Sequence, residues 1–188
     1  WLNDWLHANP PYRGANWKCG QEASIRVMHL VAAALMIGAH ETALPGLVAL
    51  VRVHLARIAP TISYAIGQQN NHGTSEAAAL FVGGSFLERN GEPQGARWCG
   101  LGRKWLEDRA RQLIEPDGSF SQYSVTYHRV MLDTYCFAEA WRRRMALPAF
   151  SEVLPARLAV ATGSTAATRK PYQSEYSGRG NPKSSTAI

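Results

Sequence analysis

Apolar residues recur along this chain at helical spacing almost from end to end. Trp1, Leu2, Trp5 and Leu6 share a face and stop at Asn9-Pro10-Pro11, which predicts the last turns of a helix. From about Gln21 to Ala39 the pattern is apolar on nearly every side (Ile25, Val27, Met28, Leu30, Val31, Leu35, Met36, Ile37), which predicts a helix buried among others. Pro45-Gly46 interrupts it, and Leu47 to Ile58 predicts a third helix ending before Pro60. A polar stretch, Gly67 to Gly73, then leads into an Ala-rich helix reaching about Leu87. Beyond the turn Asn90-Gly91-Glu92-Pro93, a helix from about Gly95 to Ile114 carries Trp98, Leu101, Trp105 and Leu113 on its apolar side. Lys104, Asp108 and Arg111 lie on its solvated side. Pro116-Asp117-Gly118 turns the chain into a long helix from about Gln122 to Met145, and a short helix covers Phe150 to Val160. No strand-like alternation and no solenoid repeat interrupts this pattern. Six or seven helices joined by short loops predict an all-α fold of stacked antiparallel hairpins.

Composition narrows the picture. The 188 residues are 46% hydrophobic and 18% charged, enough apolar content for a substantial core. Three scattered cysteines (Cys19, Cys99, Cys136) lack CxxC spacing, so neither a disulfide framework nor a cysteine-based zinc or redox site has support. The net charge is +6, and half of it falls in a tail after residue 161, where Arg169, Lys170, Arg179 and Lys183 face only Glu175. That tail has no Leu, Val, Phe, Trp or Met and is expected to be disordered or frame-altered. The positive balance invites a polyanion, but no Lys/Arg cluster with stacking aromatics speaks for nucleic acid. The most apolar stretch, Val27 to Val53, is broken by His29, His40, Glu41 and Pro45, so no membrane insertion is expected.

Three groups of polar residues within these apolar helices stand out, because an unpaired buried polar group costs about 1–3 kcal/mol. Asn70-Asn71-His72-Gly73 opens the Ala-rich helix, where Asn71 suits an N-cap and His72 lies one turn from Glu76. A cap and a structural His–Glu bond would account for them. A helix N-terminus that grips a carboxylate would too. In the stretch Phe120 to Arg129, Tyr123 and Tyr127 share one face and Ser124, His128 and Tyr135 a neighbouring one. A tyrosine beside a histidine and an arginine suits proton transfer, and an aromatic stripe equally suits packing. Glu22, Arg26 and His29 share one side of the second predicted helix, with His40 further along. Arg26 suits bidentate carboxylate contacts, while Glu22–Arg26 also reads as a structural pair. His72-x3-Glu76 lacks a third ligand, so no metal and no cofactor is expected.

Three stretches, in order, carry a family resemblance: Asn9-Pro10-Pro11 through Asn16-Trp17-Lys18-Cys19-Gly20-Gln21-Glu22-Ala23-Ser24-Ile25-Arg26; Asn71-His72 opening the Ala-rich helix; and Asp117-Gly118-Ser119-Phe120 through Gln122-Tyr123-Ser124 to Tyr127-His128-Arg129. With these the chain resembles the heparinase II/III-like polysaccharide lyases, which include alginate lyase relatives, over roughly residues 1–160. The resemblance implies an α/α toroid followed by a β-sandwich, and cleavage of acidic, uronate-containing polysaccharide by β-elimination. It further implies a periplasmic or secreted setting. Asn71, aided by His72, takes the place of the group that neutralises the uronate carboxylate, and Tyr127 that of the catalytic tyrosine. Glu22, Arg26, Gln122 and His128 fall at positions expected to bind substrate.

This chain has too few helices to close a toroid and no β-sandwich of its own. It is therefore expected to be a fragment whose two open edges fall at Trp1 and after Val160. Two other readings fit the residues. One is a non-catalytic helical module that binds acidic polysaccharide. The other is a hydrolytic toroid, which would need two facing carboxylates and finds only Glu22 and Glu76.

Overall fold

The computed structural model describes residues 2–163, so the polar basic tail lies outside the described residues from 164 onward. Eight α-helices follow one another: α1 (Leu2–Ala8), α2 (Gly20–Met36), α3 (Pro45–Ile58), α4 (Ile62–Gly67), α5 (Asn71–Arg89), α6 (Gly95–Leu113), α7 (Val125–Arg144) and α8 (Val153–Ala161). No strand occurs among the described residues, and the fold is all-α.

α5 forms the centre. Sixteen of its nineteen residues are buried, which its run of Gly, Ala and Ser permits, because small side chains let neighbouring backbones approach. A Cβ at Gly83 would crowd Val27 and Leu55, one at Gly84 would overlap Cys99, and one at Gly102 of α6 would overlap Phe81. Around α5, Val31, Leu55, Ile58, Leu106, Met131 and Trp141 complete the core.

Contacts between elements fix their directions. Gly20 meets Glu76 and Val27 meets Gly83, so α2 and α5 run parallel. Asn71 bonds Gln122, just before α7, and Trp141 bonds Ser85, so α7 runs parallel to both. Arg57 reaches Trp17 while His54 meets Arg26, so α3 runs back along α2. Cys99 lies against Gly84 and Gly102 against Phe81, so α6 runs back along α5. His128 bonds Ala161, and residues 139–143 share a groove with 154–159, so α8 runs back along α7. Three antiparallel hairpins thus stand side by side, with the N-termini of α2, α5 and α7 at one end.

Several expectations from the sequence need correction. The second helix stops at Met36, where Gly38 takes a left-handed φ of 73° and Ala39 N–H bonds back to Ala34 O at 2.8 Å. His40 therefore lies beyond the helix and not along its side. Burial of that helix is also one-sided: Met36 and Ile37, with Leu44 beyond them, are exposed. The third helix ends at Ile58, before Pro60, as expected, yet Pro60 does not halt the helical course of the chain. It occupies the start of a 3-10 turn, where its missing N–H is no loss, and the chain continues through α4. The continuous run Pro45–Gly67 is long and apolar enough to cross a bilayer by length and hydropathy alone. In this fold Val51, Leu55 and Ile58 on that run are core residues.

Candidate functional site

The three stretches singled out in the sequence fall at the shared end of α2, α5 and α7. Asn70, not Asn71, caps α5: its side chain accepts the His72 N–H at 3.0 Å from an extended backbone. A cap must stand just outside the helix to fold back on the first turn, and Asn71 is already helical. The Asn71 N–H donates instead to Gln122 Oε1 at 2.8 Å. Asn71 is 4% exposed, and its side-chain amide has no hydrogen-bond partner among the described residues. Buried Arg109 braces the turn before it, donating to Ile66 O at 3.2 Å and Gln69 Oε1 at 2.8 Å. Asp108 accepts from the same guanidinium at 2.9 Å.

His72 is half-buried, and that burial holds its imidazole below the usual pKa. The expected His72–Glu76 pair does not form among the described contacts. Glu76 is directed at the start of α2, whose first turn has no side-chain cap, and a carboxylate is favoured beside a helix N-terminus. It packs so closely on Gly20 that a Cβ there would overlap the carboxylate. Its Oε2 is buried without a partner. Burial pushes the Glu76 carboxyl up to about 7, against the opposing pull of Arg57.

The second tyrosine stretch is not one helical face. Tyr123 has a φ of 30° and Ser124 is extended, so α7 begins only at Val125 and Tyr123 and Tyr127 do not share its surface. Residues before it form a turn in which Ser121 N–H bonds Leu113 O at 2.9 Å and Tyr123 N–H bonds Phe120 O at 3.0 Å. This turn aims Gln122 at Asn71. Tyr127, in the first turn of α7, is 42% exposed, and its hydroxyl has no hydrogen-bond partner among the described residues. His128 is engaged elsewhere, its Nε2 within 3.0 Å of Ala161 O. Tyr135 is fully buried and donates to Leu106 O at 3.0 Å.

Arg26 forms a node of a different kind. Its guanidinium lies 5.3 Å from the Trp5 ring and 5.8 Å from the Trp17 ring, donates to Asn16 O, and donates through Nε to His54 Nε2 at 3.2 Å. His54 Nδ1 lies 2.8 Å from Leu50 O, so these partners assign the neutral tautomer with the proton on Nδ1. Burial, with the Arg26 charge behind it, holds His54 below its usual pKa. Glu22 is exposed and acts on Arg26 through its field rather than through a direct ion pair. Beside Arg26 lies a cavity of about 370 Å³ lined by Trp5, Leu30, Ala33, Leu50 and His54.

Two residues at this end escaped the sequence reading: His54, and Arg57, which donates to Trp17 O at 2.9 Å and Thr61 Oγ1 at 3.1 Å. Their signal was present, as polar side chains inside an otherwise apolar helix. Among the described residues no group of three His, Cys, Asp or Glu side chains could hold a metal ion.

Chemically, this end offers a buried amide (Asn71), a half-buried imidazole (His72), an exposed phenol (Tyr127) and three helix N-termini. That set suits an anionic ligand and a proton transfer. Compared with protein families, curated proteins and solved structures, the chain matches none.

Proposed function

We propose that this chain is part of the α/α toroid of a heparinase II/III-like polysaccharide lyase, which cuts acidic, uronate-containing polysaccharide by β-elimination. One observation carries the reading: the three motif stretches, far apart in sequence, fall at the N-termini of three parallel helices on one end of the molecule. In this reading the Asn71 amide and the His72 imidazole hold the uronate C6 carboxylate, which stabilises the enolate-like intermediate formed when the C5 proton leaves. The Tyr127 phenol supplies the proton to the departing O4 oxygen and, as phenolate, takes the C5 proton. The C4–O4 bond breaks and a C4–C5 double bond forms, so no water is consumed. Gln122 holds the Asn71 backbone, and Arg26 stiffens the loop that closes this end.

A second reading is a non-catalytic module that binds acidic polysaccharide. It rests on the basic balance of the chain, +6 overall, which suits a polyanion whether or not Tyr127 acts on it. Ultraviolet absorbance of unsaturated uronate during incubation with polyuronate separates the two. The lyase reading expects product from the wild-type chain, and a fall of about a hundredfold or more for Tyr127→Phe, the size of a lost general acid or base. Equal turnover by the variant removes Tyr127 from the chemistry. Salt-sensitive binding without product favours the module.

A further inference from the structure

Beyond that reading, we propose that the outer face of α6 is a second, separate docking surface for a linear acidic polysaccharide, made by Arg97, Lys104 and Arg111. The three are exposed and recur every seven residues, which puts them on one face within about 20° per step and about 10 Å apart along the axis. The opposite face of α6 is core, with Trp98, Leu106, Ala110 and Leu113 buried. What distinguishes the stripe is the fate of the acids on the same helix. Glu107 lies 3.6 Å from Arg103 and accepts the Ser151 N–H at 3.0 Å. Asp108 is bound to Arg109. Both carboxylates are thus taken by arginines that serve the fold, and the three outward cations keep their charge for an outside partner.

Just past the helix, Asp117 is occupied by the N–H and hydroxyl of Ser119, and Glu115 forms no ion pair with Arg111 among the described residues. Between Arg97 and Lys104 the surface is open, because a Cβ at Gly100 would meet nothing. Charges about 10 Å apart suit a polyanion whose charges repeat once per disaccharide better than a nucleic-acid strand with a phosphate about every 3.4 Å. Nor does an exposed aromatic platform for bases line the stripe: Trp98 is buried and Trp105 partly so, with Lys104 lying 5.0 Å from its ring.

The test compares two charge-matched triple variants of the full chain: Arg97→Gln with Lys104→Gln and Arg111→Gln, and Arg169→Gln with Lys170→Gln and Lys183→Gln. Binding of defined-length hyaluronan, which carries one uronate per disaccharide, is measured across a salt series, with circular dichroism to confirm the helical content of both. The stripe variant is expected to bind at least tenfold more weakly, with a salt slope shallower by about two to three, as when that many ionic contacts are lost. The tail variant is expected to stay within twofold of wild type. Equal losses in the two variants would reduce the effect to net charge and overturn the proposal. So would stripe-dependent binding of single-stranded DNA or anionic lipid vesicles as tight as that of hyaluronan. Stripe-dependent binding without unsaturated product would count against the lyase reading alone.

Discussion

Glu76 and His54 are ionisable side chains that the fold takes out of water, and their pKa shifts set opposite limits on stability. Glu76 titrates near 7 in the folded chain, against 4.5 for an ordinary glutamate. Between those values the folded state keeps a proton that the unfolded state has released, so stability falls as pH rises through the window and levels off above it. At about 1.4 kcal/mol per pH unit the full effect is at most about 3 kcal/mol. Glu76→Gln keeps the shape without the ionisation. Denaturant midpoints of that variant should lose the wild-type decline with rising pH, and above pH 7 it should be the more stable protein. A slope that survives in the variant assigns the effect to another group. His54 acts on the acid side. Its folded pKa lies below the usual value, so stability is lost as pH falls below the unfolded histidine's pKa and the unfolded chain takes up the proton first. The sequence placed Glu76 one turn from His72 and suggested their pairing. It could not reveal that an uncapped α2 would sit closer, because that competitor lies more than fifty residues away.

Between elements, the α5–α6 hairpin is held by the absence of side chains. Gly102 touches the α5 backbone at Phe81, whereas Gly100, two residues earlier on the same helix, faces open space. The same substitution should therefore have opposite signs. Gly102→Ala forces backbones apart and should cost about 1–3 kcal/mol, as overpacking does. Gly100→Ala should add about 0.8 kcal/mol through helix propensity alone. Chemical denaturation of the two variants beside wild type reads both, and a loss in each would mean that Gly100 serves a contact beyond the described residues. The extent of this helix was legible in the sequence, because amphipathic spacing and a turn at each end bound it: Gly95–Leu113 against an expected Gly95 to Ile114. The start of α7 was not legible. Tyr123 adopts a left-handed conformation that no propensity assigns to a tyrosine, and it is held there by the turn that delivers Gln122 to Asn71. The boundary was lost where tertiary contacts override local preference, which is also where the candidate site is built.

Across the whole molecule, burial is graded from the centre outward. α5 buries sixteen of nineteen residues, α8 buries only Leu154, and α1 buries none. Opening free energies follow the contacts that must be broken, so amide hydrogen exchange should be slowest in the interior of α5, near the global limit. It should be fastest in α1, with α8 next. The start of α5, which carries Asn71, belongs to the protected part, whereas the first turn of α7, with Val125 and Tyr127 exposed, does not. Arg109 and the Gln122–Asn71 bond tie the turn before α5 to α6 and to the segment before α7, so Asn71 should exchange with the core rather than with the loops. Fast exchange at Asn71 and the Gln69–Asn70 turn would mean that the amide and phenol are not held in a fixed relation. The site proposed above, which would grip a carboxylate and move a proton, could not work that way. Periodicity made the hairpins legible, because each helix is amphipathic or small-residue-rich on its own. Which ends of the helices would meet depended on the parallel stacking of α2, α5 and α7, written in contacts such as Gly20 with Glu76 and Ser85 with Trp141. Slow exchange at Asn71 and loss of that protection in Arg109→Lys would together establish that the stacking, rather than the local turn, fixes this end of the molecule.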